Sequence, residues 1–177
     1  MSHTEDRYSP SRLTFFFHWV ILALIALAYL AIEIRGPKGT DSRTFWMAVH
    51  FWTGSLVLPL SALRLLWLLW RNGMPGAPGH PLLRFVVRIL YLALYLFIFV
   101  QPLLGILMVN AAGRPFTLAG GDISLTLIGA DPIARALLHT LHEEIGNAFY
   151  VVIGLHALLA IVSRLLRRKK RAMEWIK

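Results

Sequence analysis

The 177-residue chain contains no cysteine. That absence excludes a disulfide framework, a thiolate zinc or iron–sulfur site, and the covalent CxxCH attachment of a c-type haem. Charge is scarce too: Asp, Glu, Lys and Arg make up 15% of the residues, against about 25% in an average soluble domain. Acids are scarcest, with 9 carboxylates against 18 Lys and Arg, a formal net charge of +9. What fills the chain instead is apolar: 57% of the residues are hydrophobic and the mean hydropathy is +0.62. A domain of 20.0 kDa has too little interior to hide that much apolar surface from water. Lipid is therefore the solvent for most of it, and a soluble enzyme is excluded.

Four apolar stretches, at about 13–34, 45–70, 82–109 and 136–166, meet the requirement for crossing a hydrocarbon core, roughly 20 residues. None alternates with a period of two, and each is too long for a strand. The expected fold is all-α, an integral membrane four-helix bundle forming one domain over residues 1–177. Pro59 and Pro102 fall inside the second and third stretches, where membrane helices tolerate them. Arg7 and Arg12 precede the first stretch as they would in a signal peptide. Its apolar run exceeds the roughly 7–15 residues of a signal core and no small-residue cleavage site follows, so it is expected to remain as a span.

The basic residues are unevenly divided among the connectors. The N-terminus, the 71–81 loop, the 164–177 tail and the adjoining helix ends (Arg64, Arg84, Arg88) hold thirteen of the eighteen Lys and Arg. The opposite side holds Arg35, Lys38, Arg43, Arg114 and Arg135, with six carboxylates near them. Positive-inside bias then puts both termini in the cytoplasm. The tail RLLRRKKRAMEWIK reads as a topology anchor touching anionic headgroups of membrane lipid, so the sequence pI of about 10.7 does not imply nucleic acid. The outer connection, 110–135, is long for so small a chain and is expected to be a lid, a binding element or a segment lying on the bilayer.

Ionisable side chains inside lipid are expensive and mark function by default. His18 lies a turn and a half inside the inner start of the first span, and His156 about two turns before the inner end of the fourth. His50 and His142 follow the outer starts of their spans by five or six residues. The four thus fall at two depths, one pair near each side. His142 and His156 are fourteen residues apart, about 21 Å along a helix and within about 40° of the same direction. His139 points about 100° away from His156 and lies nearer the water, so it is not expected to join them.

Zinc takes three or four protein ligands at one point, which neither level supplies. The run His142–Gly146 is not HExxH, because Gly146 stands in the second histidine's place. An iron porphyrin brings four nitrogens of its own and needs only two axial ligands, and bundle cores hold such groups between facing helices. Two non-covalent haems b, each on two histidines, match the count and the missing cysteines. Gly54 and Gly146 follow the outer histidines at i+4, on the same helix faces, where a flat ring would approach the backbone; they also suit close helix packing. Arg64 would neutralise a haem propionate or snorkel to the headgroups. Phe15, Phe16, Phe17, Trp19, Trp46 and Trp52 flank the ligand positions as a lipid-facing belt.

Five segments, SRLTFFFHW (11–19), AIEIRG (31–36), His50 opening the second span, LHEEIGN (141–147) and YVVIGLHA (150–157), resemble the small bacterial cytochrome b561 proteins, which include membrane superoxide oxidases. The likeness covers nearly the whole chain. It implies two haems b, with His18 and His156 ligating the inner iron and His50 and His142 the outer one, in the bacterial inner membrane. It also implies one-electron transfer between quinone and a partner outside the membrane. In the superoxide oxidases, superoxide is oxidised to oxygen while ubiquinone is reduced. In that pattern a further histidine about two turns past the last ligand touches quinone; here 157–164 offers Ser163 and no histidine. Two rival functions stand beside this one: a membrane anchor for a separate periplasmic redox enzyme, and a haem-free histidine relay in a transporter.

Overall fold

The computed structural model describes residues 11–71, 81–118 and 123–174, without the side chains of 166, 167 and 169–174. The first ten residues, most of the inner loop and most of the basic tail's side chains, including the expected headgroup contact of that tail, lie outside the described residues. Four helices dominate: α1 (Arg12–Ile34), α2 (Asp41–Trp70), α3 (Pro81–Ala111) and α4 (Pro132–Glu174). Each is long and apolar enough to cross a membrane. The expected all-α bundle is thus present, with a two-stranded addition in the outer connection.

Local chemistry sets the helix starts. Ser11 caps α1, its hydroxyl accepting from Thr14 N, and Thr40 caps α2 by accepting from Arg43 N. Helix α2 therefore begins at Asp41 rather than about 45, with that carboxylate favourably placed in its first turn. Helix α4 begins at Pro132, four residues before the apolar run. Asp131 Oδ1 accepts from both Ile133 N and Ala134 N, and proline at the first helical position gives up no needed hydrogen bond. At the other end α4 runs on to Glu174, since Arg and Lys are good helix formers and nothing in 166–174 breaks the turn.

Helix α1 packs along α2, α3 packs along α4, and α2 meets α3. Neither α1 nor α2 lies closely along α4, so space remains between α4 and the first helical pair. The side chains that close the interior are Ile21, Ala28, Ala31, Val57, Ile106 and Phe149, all buried. Most large apolar residues instead face outward, as with Leu92 (66% exposed) and Val151 (64%). Only lipid would shield them from water.

The outer connection is an antiparallel hairpin, β1 (Phe116–Leu118) against β2 (Ile123–Leu125), with Phe116 opposite Leu125. Asn110, at the end of α3 and 2% exposed, ties it down. Its amide nitrogen donates to Arg114 O and Leu125 O, and its carbonyl accepts from Leu127 N at 2.8 Å. Gly113, at φ 77°, turns the chain out of α3. The signal was present in the sequence: FTL and ISL alternate with a period of two around an Ala-Gly-Gly-Asp stretch.

Candidate haem sites

The structure brings four of the histidines together two by two. His18 of α1 and His156 of α4 have ring centres 6.3 Å apart. His50 of α2 and His142 of α4 have ring centres 6.1 Å apart, with planes at 89°. All four are half-buried. His139 joins neither pair: exposed at the edge of the cavity that His50 and His142 border, its Nδ1 lies 3.7 Å from Glu143 on the next turn of α4.

The outer pair borders a cavity of about 870 Å³ between α4 and the other helices. His50 Nδ1 donates to the Ala28 carbonyl of α1 at 2.9 Å, which leaves the other ring nitrogen with its lone pair free. Metal-ligating histidines are oriented this way, by giving the second N–H to a backbone carbonyl. His142 is fixed from α3. Gln101 Nε2 donates to its backbone carbonyl at 2.9 Å, and a methyl at Gly105 would lie 3.5 Å from His142 Cε1. The ring therefore lies within ordinary contact distance of α3 at Gly105. Across the bundle, Tyr29 OH donates to Gly146 O at 2.7 Å and so ties α1 to α4 beside the cavity.

The donor set fits a metal held by two opposed imidazoles. Metal–nitrogen bonds of about 2 Å on opposite sides of one ion put the ring centres about 6 Å apart, as both pairs have. The outer pair also has an orphan: His142 Nδ1 is buried with no partner, an arrangement native proteins avoid unless something else satisfies the group. No three His, Asp or Glu converge among the described residues, so a metal here would need most of its ligands from a macrocycle. Gly54 supports a ring approaching α2, since a methyl there meets nothing within 4 Å and the position lines the cavity. Gly146 is different: a methyl would lie 2.8 Å from Gln101 Nε2, so this glycine makes room for a neighbouring side chain.

The inner pair has two further polar neighbours, Arg64, already singled out in the sequence, and Tyr91, which spacing alone did not bring out. Tyr91 of α3 lies 6.0 Å ring to ring from His156. Arg64 of α2 is near enough for its charge to act on both inner histidines. At the outer mouth, Arg35 and Arg43 border the cavity, half-buried and without a carboxylate partner among the described residues. Arg43 Nη1 donates instead to Gly36 O in the α1–α2 turn. The aromatic belt is as expected for Phe15, Phe16, Trp19 and Trp52, which are exposed, while Phe17 and Trp46 are half-buried.

Comparison with known proteins places the chain in a family. Cytochrome b561 homolog 1 of Escherichia coli (strain K12) is 28% identical over 156 residues, 86% of each chain. The probable superoxide oxidase CybB of Yersinia pestis is 29% identical over 149 residues, 82% of each chain. The family model for prokaryotic cytochrome b561 matches residues 9–174, a stretch that takes in all four spans and all four paired histidines. The chain therefore belongs to the prokaryotic cytochrome b561 family, and is a multi-pass membrane protein that transfers electrons with haem b.

Proposed function

We propose that this protein holds two haems b and passes single electrons across part of the bacterial inner membrane, between a donor at its outer face and quinone. The observation that carries the reading is the meeting of four imidazoles as two pairs, at ring separations of 6.3 and 6.1 Å. His18 and His156 would hold the inner iron, His50 and His142 the outer one. Bound there, each haem would supply a one-electron carrier, held by the two imidazoles of its pair.

The protein's own groups do the rest. Ala28 O and Gln101 hold the outer imidazoles in place. Arg35 and Arg43 border the cavity together with Glu33 and Glu143, so its formal charge is close to balanced and an anionic donor would be met by the two arginines locally rather than drawn in by a net positive field. Superoxide is the leading donor. It leaves as oxygen after giving up one electron, so two superoxide ions and two protons balance one ubiquinone reduced to ubiquinol. The basic excess on one side supports both termini in the cytoplasm, with the hairpin on the periplasmic side.

The test is a reduced-minus-oxidised absorption spectrum with haem quantified per chain. The expected result is a sharpened α band, a shifted Soret band and two haems. His142→Ala should remove about one haem and His139→Ala none. A colourless protein from haem-replete cells, or haem lost on His139→Ala alone, would overturn the assignment. Stopped-flow mixing with superoxide then tests the donor: without haem reduction, superoxide is excluded.

A further inference from the structure

The cavity bordered by the outer pair is charged at one end and apolar at the other. Arg43 precedes His50 on α2 by seven residues, which is about 10 Å outward and within about 20° of the same direction. Arg35, at the end of α1, follows Ala28 by the same interval, and the Ala28 carbonyl takes the His50 N–H. Both arginines border the cavity and both are half-buried. On the inner side of the histidines the walls are Ile25, Val57, Phe97, Ile98 and Phe149. Ser55 is there too, but its hydroxyl donates to the Phe51 carbonyl of its own helix.

Glu33 and Glu143 border the same cavity, yet neither pairs with an arginine. Glu33 accepts from Tyr150 OH at 3.2 Å and Glu143 faces His139 at 3.7 Å, both on exposed surface. Arg43 donates to the Gly36 carbonyl, and Arg35 has no side-chain partner among the described residues. The two half-buried cations thus stand without an anion at the mouth of the cavity. A porphyrin is amphipathic in the same sense as this cavity, with two propionates on one edge and apolar groups on the other. Burying carboxylates against the apolar wall is strongly unfavourable, whereas a guanidinium matches a carboxylate in charge and shape. We propose that the porphyrin held by His50 and His142 sits with its propionate edge outward, on Arg35 and Arg43. The proposal rests on the dihaem reading. Two helical turns is also about the reach from the iron to that edge. The seat compensates the propionates' charge, so removing an arginine disfavours adding an electron to the nearby iron. A guanidinium clasping a carboxylate keeps N–H donors to spare, and both arginines still meet an anion arriving at the mouth.

The experiment compares purified wild-type holoprotein with Arg35→Gln, Arg43→Gln, Arg35→Lys and Arg43→Lys. The glutamine changes are repeated in His142→Ala, which removes the outer haem. Haem per chain, midpoint potentials and the propionate bending band in the resonance Raman spectrum are measured. Two haems are expected in the wild type. Each glutamine variant should shift the band and move one midpoint to a more negative potential, and its lysine counterpart should restore most of the potential. In His142→Ala the same changes should move neither. Two haems but an unmoved band in both glutamine variants would overturn this proposal alone, whether the ring sits the other way round or a lipid phosphate fills the seat. A band shift that survives in His142→Ala would do the same, since the arginines would then act on the inner ring. Wild type without haem would overturn the dihaem reading and this proposal with it. Should a glutamine variant lose the outer haem outright, haem kept in its lysine counterpart supports the seat, and loss there too overturns it.

Discussion

Replacing Gly54 by leucine tests whether a rigid ring occupies the outer cavity, because the sign of the effect depends on it. Gly54 follows His50 by one turn on α2, lines the cavity, and would carry a methyl with nothing within 4 Å. With no ring beside it, a leucine there would meet no obstacle and would gain about 1 kcal/mol of helix propensity over glycine. With a flat macrocycle between His50 and His142, the same side chain overlaps it, and overpacking of this kind costs about 1–3 kcal/mol. That penalty weakens haem retention roughly 5- to 150-fold. The assay is haem per chain in Gly54→Leu, with Gly154→Leu as the control. Gly154 is equally open but exposed on α4 and absent from the cavity wall. The expected outcome is a fall from two haems toward one in Gly54→Leu and no change in the control. Two haems and a wild-type spectrum in Gly54→Leu would refute the reasoning, and so would equal losses in both variants.

Two further substitutions probe the frame around the sites. Asn110→Ala removes three hydrogen bonds to the outer hairpin at a position 2% exposed, which should cost about 3 kcal/mol. A lower unfolding temperature in detergent and faster amide exchange over 116–127 would register it; unchanged exchange would mean the hairpin is held by other contacts. Tyr29→Phe loses the half-buried 2.7 Å bond to Gly146 O that joins α1 to α4, and should destabilise by about 1 kcal/mol. Tyr150→Phe loses only the exposed 3.2 Å bond to Glu33, for which the expected change is within about 0.5 kcal/mol. The same thermal assay ranks the two, and the reverse order would contradict the burial argument.

Much of the architecture was readable from spacing. Apolar run lengths gave four spans; the structure shifts the starts of α2 and α4 where Thr40 and Asp131 cap them, and carries α4 past its apolar run to Glu174. The fourteen residues between His142 and His156 put both rings on one side of α4, because helix periodicity is a local property. Other features escaped such reading. Gln101 and Gly105 look like ordinary residues of apolar spans. Each matters only through a partner on another helix: Gln101 through the His142 carbonyl, Gly105 through the His142 ring. The two outer glycines make the same point. Both sit at i+4 from a histidine, yet one faces open space and the other makes room for Gln101.

By itself the sequence determined the number of membrane-crossing helices and the depth of each histidine, since both follow from residue counts along a single helix. Depth already matched His18 with His156 and His50 with His142; only the tertiary structure decided that α4 stands off from α1 and α2 and that the rings of each couple come within 6.3 and 6.1 Å. It also decided that Tyr91 of α3 lies against His156, 6.0 Å ring to ring. Those outcomes depend on how helices distant in the chain rotate and pack against one another, which no local periodicity encodes.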